Sequence, residues 1–154
     1  MNSVIVTTPS LAMVLLFGVG AAFAIEVMVW KGRSLTLLLF VSGIMIPGQM
    51  ILVPLFITYF QLGVSGTYLP MILTYTGLGM PLTVFMMAAY FRAVPREIFE
   101  AAVIDGASML RAFFAIGLPM VRNSLFTIGL VTFLSIWNDL LIALTFTTLS
   151  LIHI

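Results

Sequence analysis

Four long runs of this sequence, residues 3–29, 35–60, 68–91 and 123–147, hold two charged side chains between them, Glu26 and Asp139. An apolar stretch of roughly 18 residues or more, with few charges, is long enough to cross the hydrocarbon of a bilayer as a helix. Each run meets that length. The first is too long, and has its charge at the wrong end, for a secretory leader. The whole chain is 62% hydrophobic and 7% charged, with a mean hydropathy of +1.26, where a water-soluble domain carries about 25% charged residues. Its 13 Phe and 11 Met can fill a core, but the apolar surface left over needs lipid to cover it. The expectation is a single all-α, polytopic membrane domain.

The same composition excludes several functions. A net charge of +1 gives no clustered basic face for nucleic acid. With no cysteine, disulfides, thiol catalysis and cysteine-ligated metals are ruled out. The one histidine, His153, makes no metal site alone. No GxxxxGK[ST] string is present, and no carboxylate has a partner suited to acid and base roles. No catalytic residue, metal or cofactor is therefore expected on this chain. Any ATP and magnesium used in its work would sit on another polypeptide.

Between the third and fourth runs lies VPREIFEAAVIDGASMLRAFFAIGLP, residues 94–119. Pro95 suits a helix start, where its missing N–H is no loss, and Glu97 lies near the positive end of the helix dipole. At 100° per residue, Arg96, Glu97, Glu100, Ala101 and Asp105 share one side of the cylinder, and Ile98, Phe99, Ala102 and Val103 share the other. Gly106 can take the left-handed conformation that ends the helix, Ser108 can cap the next one, and Pro119 stops it. This helix, glycine turn and helix is too short and too charged to span a bilayer. A helix bound to a membrane surface would have a basic polar face, whereas this one is mixed. The small Ala101, Ala102 and Ala107 favour insertion into a partner's groove, with Glu100 and Asp105 making polar contacts at its rim.

The six Lys and Arg fall in two places, Lys31 and Arg33 after the first run, and Arg92, Arg96, Arg111 and Arg122 in or beside the charged stretch. Two spans separate them, so both lie on one side, and an excess of basic residues marks the cytoplasmic side.

Glu100-Ala101-Ala102, then Asp105-Gly106-Ala107, then Gly117-Leu118-Pro119, resembles the EAA loop of permease subunits in bacterial binding-protein-dependent ABC importers. Ile46-Pro47-Gly48-Gln49, Pro54-Leu55, Leu62-Gly63 and Trp137-Asn138-Asp139 are similar to the carbohydrate-uptake, maltose-type branch of that family. Asn123 stands where the family often has proline. The resemblance covers nearly the whole chain, residues 1–148, and implies a MetI-like ABC permease fold in the bacterial inner membrane, with about four transmembrane helices of an expected six. It implies an ATPase-docking loop at about 92–122, carried by Glu100, Ala101, Ala102, Asp105, Gly106, Ala107, Gly117 and Pro119. The implied partners are a cytoplasmic ABC ATPase dimer, a second homologous permease and an extracytoplasmic solute-binding protein.

Within the spans, Pro47 and Pro54 free backbone carbonyls and are expected to kink one continuous second helix. Gln49, Asn138 and Asp139 are candidates for lining a path. A carboxylate near the bilayer centre costs about 2.5–3.5 kcal/mol on insertion scales, so Asp139 should face protein or water, as a hydrogen-bonding residue at a helix interface or as part of the pathway. Asp139 or Glu26 would be the proton site if the chain were an ion-gradient-driven secondary transporter. Glu26 is expected to reach towards Lys31. The last six residues, 149–154, match the translation of a transposase sequencing adapter, CTGTCTCTTATACACATC, and are read as a non-native tail on a fragment.

Overall fold

The computed structural model describes residues 2–139 and 141–147, and every regular element among them is a helix. The 149–154 segment lies outside the described residues.

The frame is a pair of long helices, α1 (Asn2–Glu26) and α4 (Leu69–Arg92). Both are long and apolar enough to cross a membrane. They run parallel: Glu26 and Arg92 pair at their C-terminal ends, while Val6 shares a buried cluster with Met71 and Tyr75 at their starts. Glycine sets their separation. A Cβ at Gly18 would lie 2.6 Å from Thr83 Cγ2, and one at Gly79 would lie 2.9 Å from Val14 Cγ2, so the absent side chains let the backbones approach, as small residues do between membrane helices. Gly79→Leu is expected to destabilise by about 1–3 kcal/mol or more through overpacking, read as a lowered melting temperature of the detergent-solubilised protein. Gly20→Leu is the control, since a Cβ there meets nothing within 4 Å. Equal melting of the two variants would show that the crossing is not close.

Two parallel helices need a return path, and residues 27–68 supply it. Gly32, at φ +101°, turns the chain into α2 (Arg33–Ile44), which packs along α4 until Gly43 meets Pro81. The second span was expected as one kinked helix. Instead it breaks at Met45–Pro47, and α3 (Gly48–Gln61) leaves at 94° to α2. The residue before a proline is pushed out of the α region, so the helix cannot continue through Ile46 to Pro47, and α2 stops at Ile44 with Met45 as its C-cap. Pro54 lies inside α3 and does not break it.

After α4 come α5 (Arg96–Ile104) and α6 (Met109–Met120), the latter widening to a π turn over Phe113–Gly117. Pro119 lies within the last turn of α6, and the chain bends by 78° at Val121 into α7 (Arg122–Trp137). The fourth span was also expected to be continuous. It stops at Trp137 and resumes as α8 (Leu141–Thr147), with Asn138 and Asp139 in the gap.

Two buried clusters hold this together. One, around Val19, Phe23, Met87, Phe91 and Phe99, lies at the end where α1 and α4 finish. The other joins Val6, Tyr59, Tyr75, Ile136 and Phe146 at the opposite end. The turn bearing Lys31 and Arg33 and the charged stretch after Arg92 therefore lie at the same end of the bundle, in agreement with the basic-residue count.

Candidate functional site: a charged elbow and a set of interrupted helices

The elbow is built by local backbone chemistry. Pro95 sits at the N-cap of α5. At its other end Gly106 adopts φ +82°; its N–H donates to Val103 O at 3.0 Å, and the Ala107 N–H donates to Ala102 O at 2.9 Å. That pair of bonds is the Schellman closure of a helix, which satisfies otherwise orphaned carbonyls and requires a left-handed residue. Ser108 then opens α6 by accepting the Arg111 N–H on its Oγ at 3.2 Å. Between the closure and the cap no residue is left to bend freely.

The inner face of the elbow is fastened to α1 and α4 through one ring. Phe23 meets Phe91 of α4 at 5.5 Å, Phe99 of α5 at 5.7 Å and Phe113 of α6 at 4.9 Å between centroids. Gly117 lies under the same ring, where a Cβ would come within 3.3 Å of Phe23 Cε2. Glu26 adds a polar tie. Its Oε1 and Oε2 accept from Arg92 Nε and Nη2 at 2.9 and 3.0 Å, and its main-chain oxygen accepts from Arg96 Nη2 at 3.4 Å. The expected partner, Lys31, is not the one used: the parallel packing of α1 and α4 brings Arg92 to Glu26, and a planar guanidinium can grip both carboxylate oxygens. Trp30 closes this end by donating its indole N–H to Ala24 O at 2.8 Å.

The outer face is free. Glu100, Ala101, Asp105, Gly106 and Pro119 are exposed, Ala102 and Ala107 are half-buried, and Gly117 is buried. The structure thus brings Glu100 to Ala107 together on one projecting turn, and gives Gly117 a packing position beneath Phe23. The apolar side of α5 is divided: Phe99 points inward, but Ile98, Val103 and Ile104 are exposed, Ile104 at 84%. A cavity of about 690 Å³ separates α5 from the end of α1, lined among others by Val27, Trp30, Arg96, Glu100 and Ile104. Sequence reasoning missed Phe23 and Arg92; neither carried a local signal beyond being aromatic or basic near a span end.

The second set of candidates lies deeper. Asp139 is not within a helix. Its Oδ1 accepts the Ile142 N–H at 2.8 Å, the bond of an N-capping aspartate, and the Tyr75 hydroxyl at 3.4 Å. Gln49 is the second residue of α3, beside the other interruption, and both it and Asp139 border a cavity of about 310 Å³. Asn138 is exposed, and its N–H closes α7 onto Leu134 O at 3.0 Å. Among the described residues no group of three His, Cys, Asp or Glu could hold a metal.

The family model described as "Binding-protein-dependent transport system inner membrane component" matches residues 2–152. The chain is 35% identical over 148 residues to the diacetylchitobiose uptake system permease protein NgcG of Streptomyces coelicolor, covering 96% of this chain and 49% of that one. It is 36% identical over 151 residues to the alpha-glucoside transport system permease protein AglG of Rhizobium meliloti, covering 95% and 40%. The melibiose/raffinose/stachyose import permease protein MelC of Bacillus subtilis is 34% identical over 146 residues, covering 94% and 53%. The chain spans about half the length of the curated relatives it matches.

Proposed function

The chain belongs to the family of binding-protein-dependent transport system inner membrane components, and from that premise we propose that it is a permease subunit of an ATP-driven importer of sugars. In this reading the chain forms half of a translocation pore in the bacterial inner membrane and docks on an ATPase dimer through the elbow. A second related permease completes the pore, and an extracytoplasmic binding protein delivers the solute. ATP and magnesium belong to the ATPase. The sugar preference is supported by the uptake systems named for its relatives and by their similarity over nearly all of this chain.

The observation that carries the proposal is the rigid projection of Glu100, Ala101, Asp105 and Gly106 from a turn locked at both ends. A lever has to be stiff within itself and fixed at its base. The Schellman closure supplies the first property, and the Phe23 cluster with the Glu26 tie supplies the second. Small side chains at 101, 102 and 107 let a partner's groove close around the turn, and the exposed Ile98, Val103 and Ile104 give it apolar surface to bury. Gln49 and Asp139 line the pathway.

Because the chain has no cysteine, Ala101→Cys and Ala107→Cys each supply a unique thiol in this subunit. Crosslinking in intact cells is expected to capture the ATPase from both positions. Capture of no nucleotide hydrolase, or a topology reporter that places residue 101 outside the cell, would defeat the proposal.

A further inference from the structure

Behind the elbow the molecule leaves an apolar cleft open. The cavity of about 690 Å³ has Val29 and Trp30 after the end of α1 on one side, and Val103 and Ile104 of α5 on the other. Val29 and Ile104 are each 84% exposed, so the cleft opens to its surroundings. Water gains little there, since an ordered water needs about two to four polar partners and the charged side chains lining the cleft are Arg96 and Glu100 alone. Its depth is fixed by α1 and α4, which are long enough to cross a bilayer and finish beside it at Glu26 and Arg92. Trp30 is an amphipathic ring of the kind that sits at the headgroup level. The cleft therefore lies where acyl chains meet headgroups, on the side that the basic residues mark as cytoplasmic.

The cleft uses a different face of α5 from the one turned to a docking partner. At about 100° per residue, Val103, Arg96, Glu100 and Ile104 fall within one arc of about 100°, whereas Ala101, Asp105 and Ile98 are centred nearly opposite. The two charges on the cleft side are held apart. Residues four apart on a helix have Cβ atoms about 5–6 Å from each other and can pair, yet Arg96 reaches back to the Glu26 main-chain oxygen with Nη2 at 3.4 Å. That bond uses one of the five N–H donors of the guanidinium. The Glu100 carboxylate makes no hydrogen bond or ion pair among the described residues. The rim thus offers a cation with donors to spare and, one turn away, an anion without a partner.

We propose that this cleft holds a zwitterionic phospholipid of the cytoplasmic leaflet, with an acyl chain between Val29 and Val103, its phosphate on Arg96 and its ammonium on Glu100. Charge complementarity selects the headgroup. Arg96 alone would accept any phospholipid, because a guanidinium binds phosphate oxygens well; Glu100 beside it repels a headgroup that is only anionic and accepts from one that carries an ammonium. The two-carbon linker of phosphatidylethanolamine places its two charges near each other, as the helix places Arg96 and Glu100. The inference rests on α1 and α4 crossing the membrane and not on what the transporter carries. It also divides the exposed apolar surface of α5, giving Val103 and Ile104 to the lipid and Ile98 to the ATPase. A chain wedged there would brace the elbow against α1 from the side that Phe23 does not reach.

The test uses the complete transporter in nanodiscs that contain a trace of phosphatidylethanolamine with a diazirine in one acyl chain. After photolysis, labelled residues of this subunit are read by peptide mass spectrometry, with the exposed Phe17 and Leu38 giving the level of ordinary boundary lipid. Labelling is expected at Val29 and Val103. Unlabelled phosphatidylethanolamine should suppress it about two- to fivefold more strongly than phosphatidylglycerol does, the scale of one exposed ion pair. Glu100→Gln, which keeps the shape of an exposed side chain, should erase that preference. Val103→Trp fills the cleft and should abolish labelling at Val29 while leaving Phe17 and Leu38 labelled as before. Absence of label at the cleft while Phe17 and Leu38 are labelled overturns the proposal, as does suppression by phosphatidylglycerol that equals or exceeds that by phosphatidylethanolamine. A Val103→Cys thiol that crosslinks to the ATPase assigns the cleft to the protein partner and overturns it as well.

Discussion

Gly106→Pro is expected to abolish sugar uptake by the assembled transporter while leaving membrane insertion, and ATP hydrolysis by the partner subunits, in place. Proline fixes φ near −65° and has no N–H. The native residue needs φ +82° and donates its N–H to Val103 O at 3.0 Å. Both requirements fail together, so the Schellman closure opens and the angle between α5 and α6 is no longer set. Milder variants separate backbone from bulk. A Cβ at Gly106 meets nothing within 4 Å, so Gly106→Ala tests conformation alone, at about 1–2 kcal/mol for a left-handed L-residue. Gly106→Asn, better tolerated in that region, should retain more uptake than alanine, and alanine more than proline. The readout is the ratio of solute carried to ATP hydrolysed. Wild-type uptake in Gly106→Pro would mean that the elbow angle transmits nothing.

Part of this architecture was legible before any coordinates, for definable reasons. Caps are local, and Pro95, Gly106 and Ser108 each declare a helix end through their own backbone or side-chain chemistry. All three act as read. The common end of the two basic regions also followed from sequence, because counting spans needs only the number of crossings. The breaks in the second and fourth spans did not follow. Hydropathy sees residues 35–60 and 123–147 as unbroken, and a proline can kink or end a helix: Pro54 is carried inside α3, while Pro47 stands at its N-cap after a 94° turn. For the fourth span a signal was available. Asn138-Asp139 ahead of an apolar run is an N-cap pattern, and reading it by polarity alone hid the gap that Asp139 caps. The Glu26–Arg92 pair crosses 66 residues of sequence, and nothing at Glu26 distinguishes it from a pair with Lys31. Phe23 was hidden by its setting: in a helix that is apolar on every side, periodicity does not mark the inward face.

That hidden ring gives the second large effect. Phe23→Ala is expected to destabilise the protein by about 3–5 kcal/mol, the cost of removing a buried aromatic side chain and leaving its cavity. Phe23 is 4% exposed and touches rings from three other helices, so no single neighbour can move in to fill the space without abandoning another. Phe17 on the same helix is 51% exposed, and Phe17→Ala should change stability little. Phe23→Leu restores much of the volume without the edge-to-face contacts and should fall between them, with the aromatic pairs worth about 0.5–1.5 kcal/mol each beyond area. Melting of the detergent-solubilised complex, followed by tryptophan fluorescence, orders the three variants. The position of the ring adds a second consequence. Phe91 belongs to α4, whereas Phe99 and Phe113 belong to the arms of the elbow, so losing Phe23 unfastens the elbow from the spans even where the Schellman closure survives. At a temperature where Phe23→Ala is still folded, its uptake per ATP hydrolysed should fall, while Phe17→Ala stays at the wild-type ratio. Identical melting of Phe23→Ala and Phe17→Ala would mean that the elbow is held by something other than this cluster, and Glu26 with Arg92 and Arg96 would then be the tie to remove next.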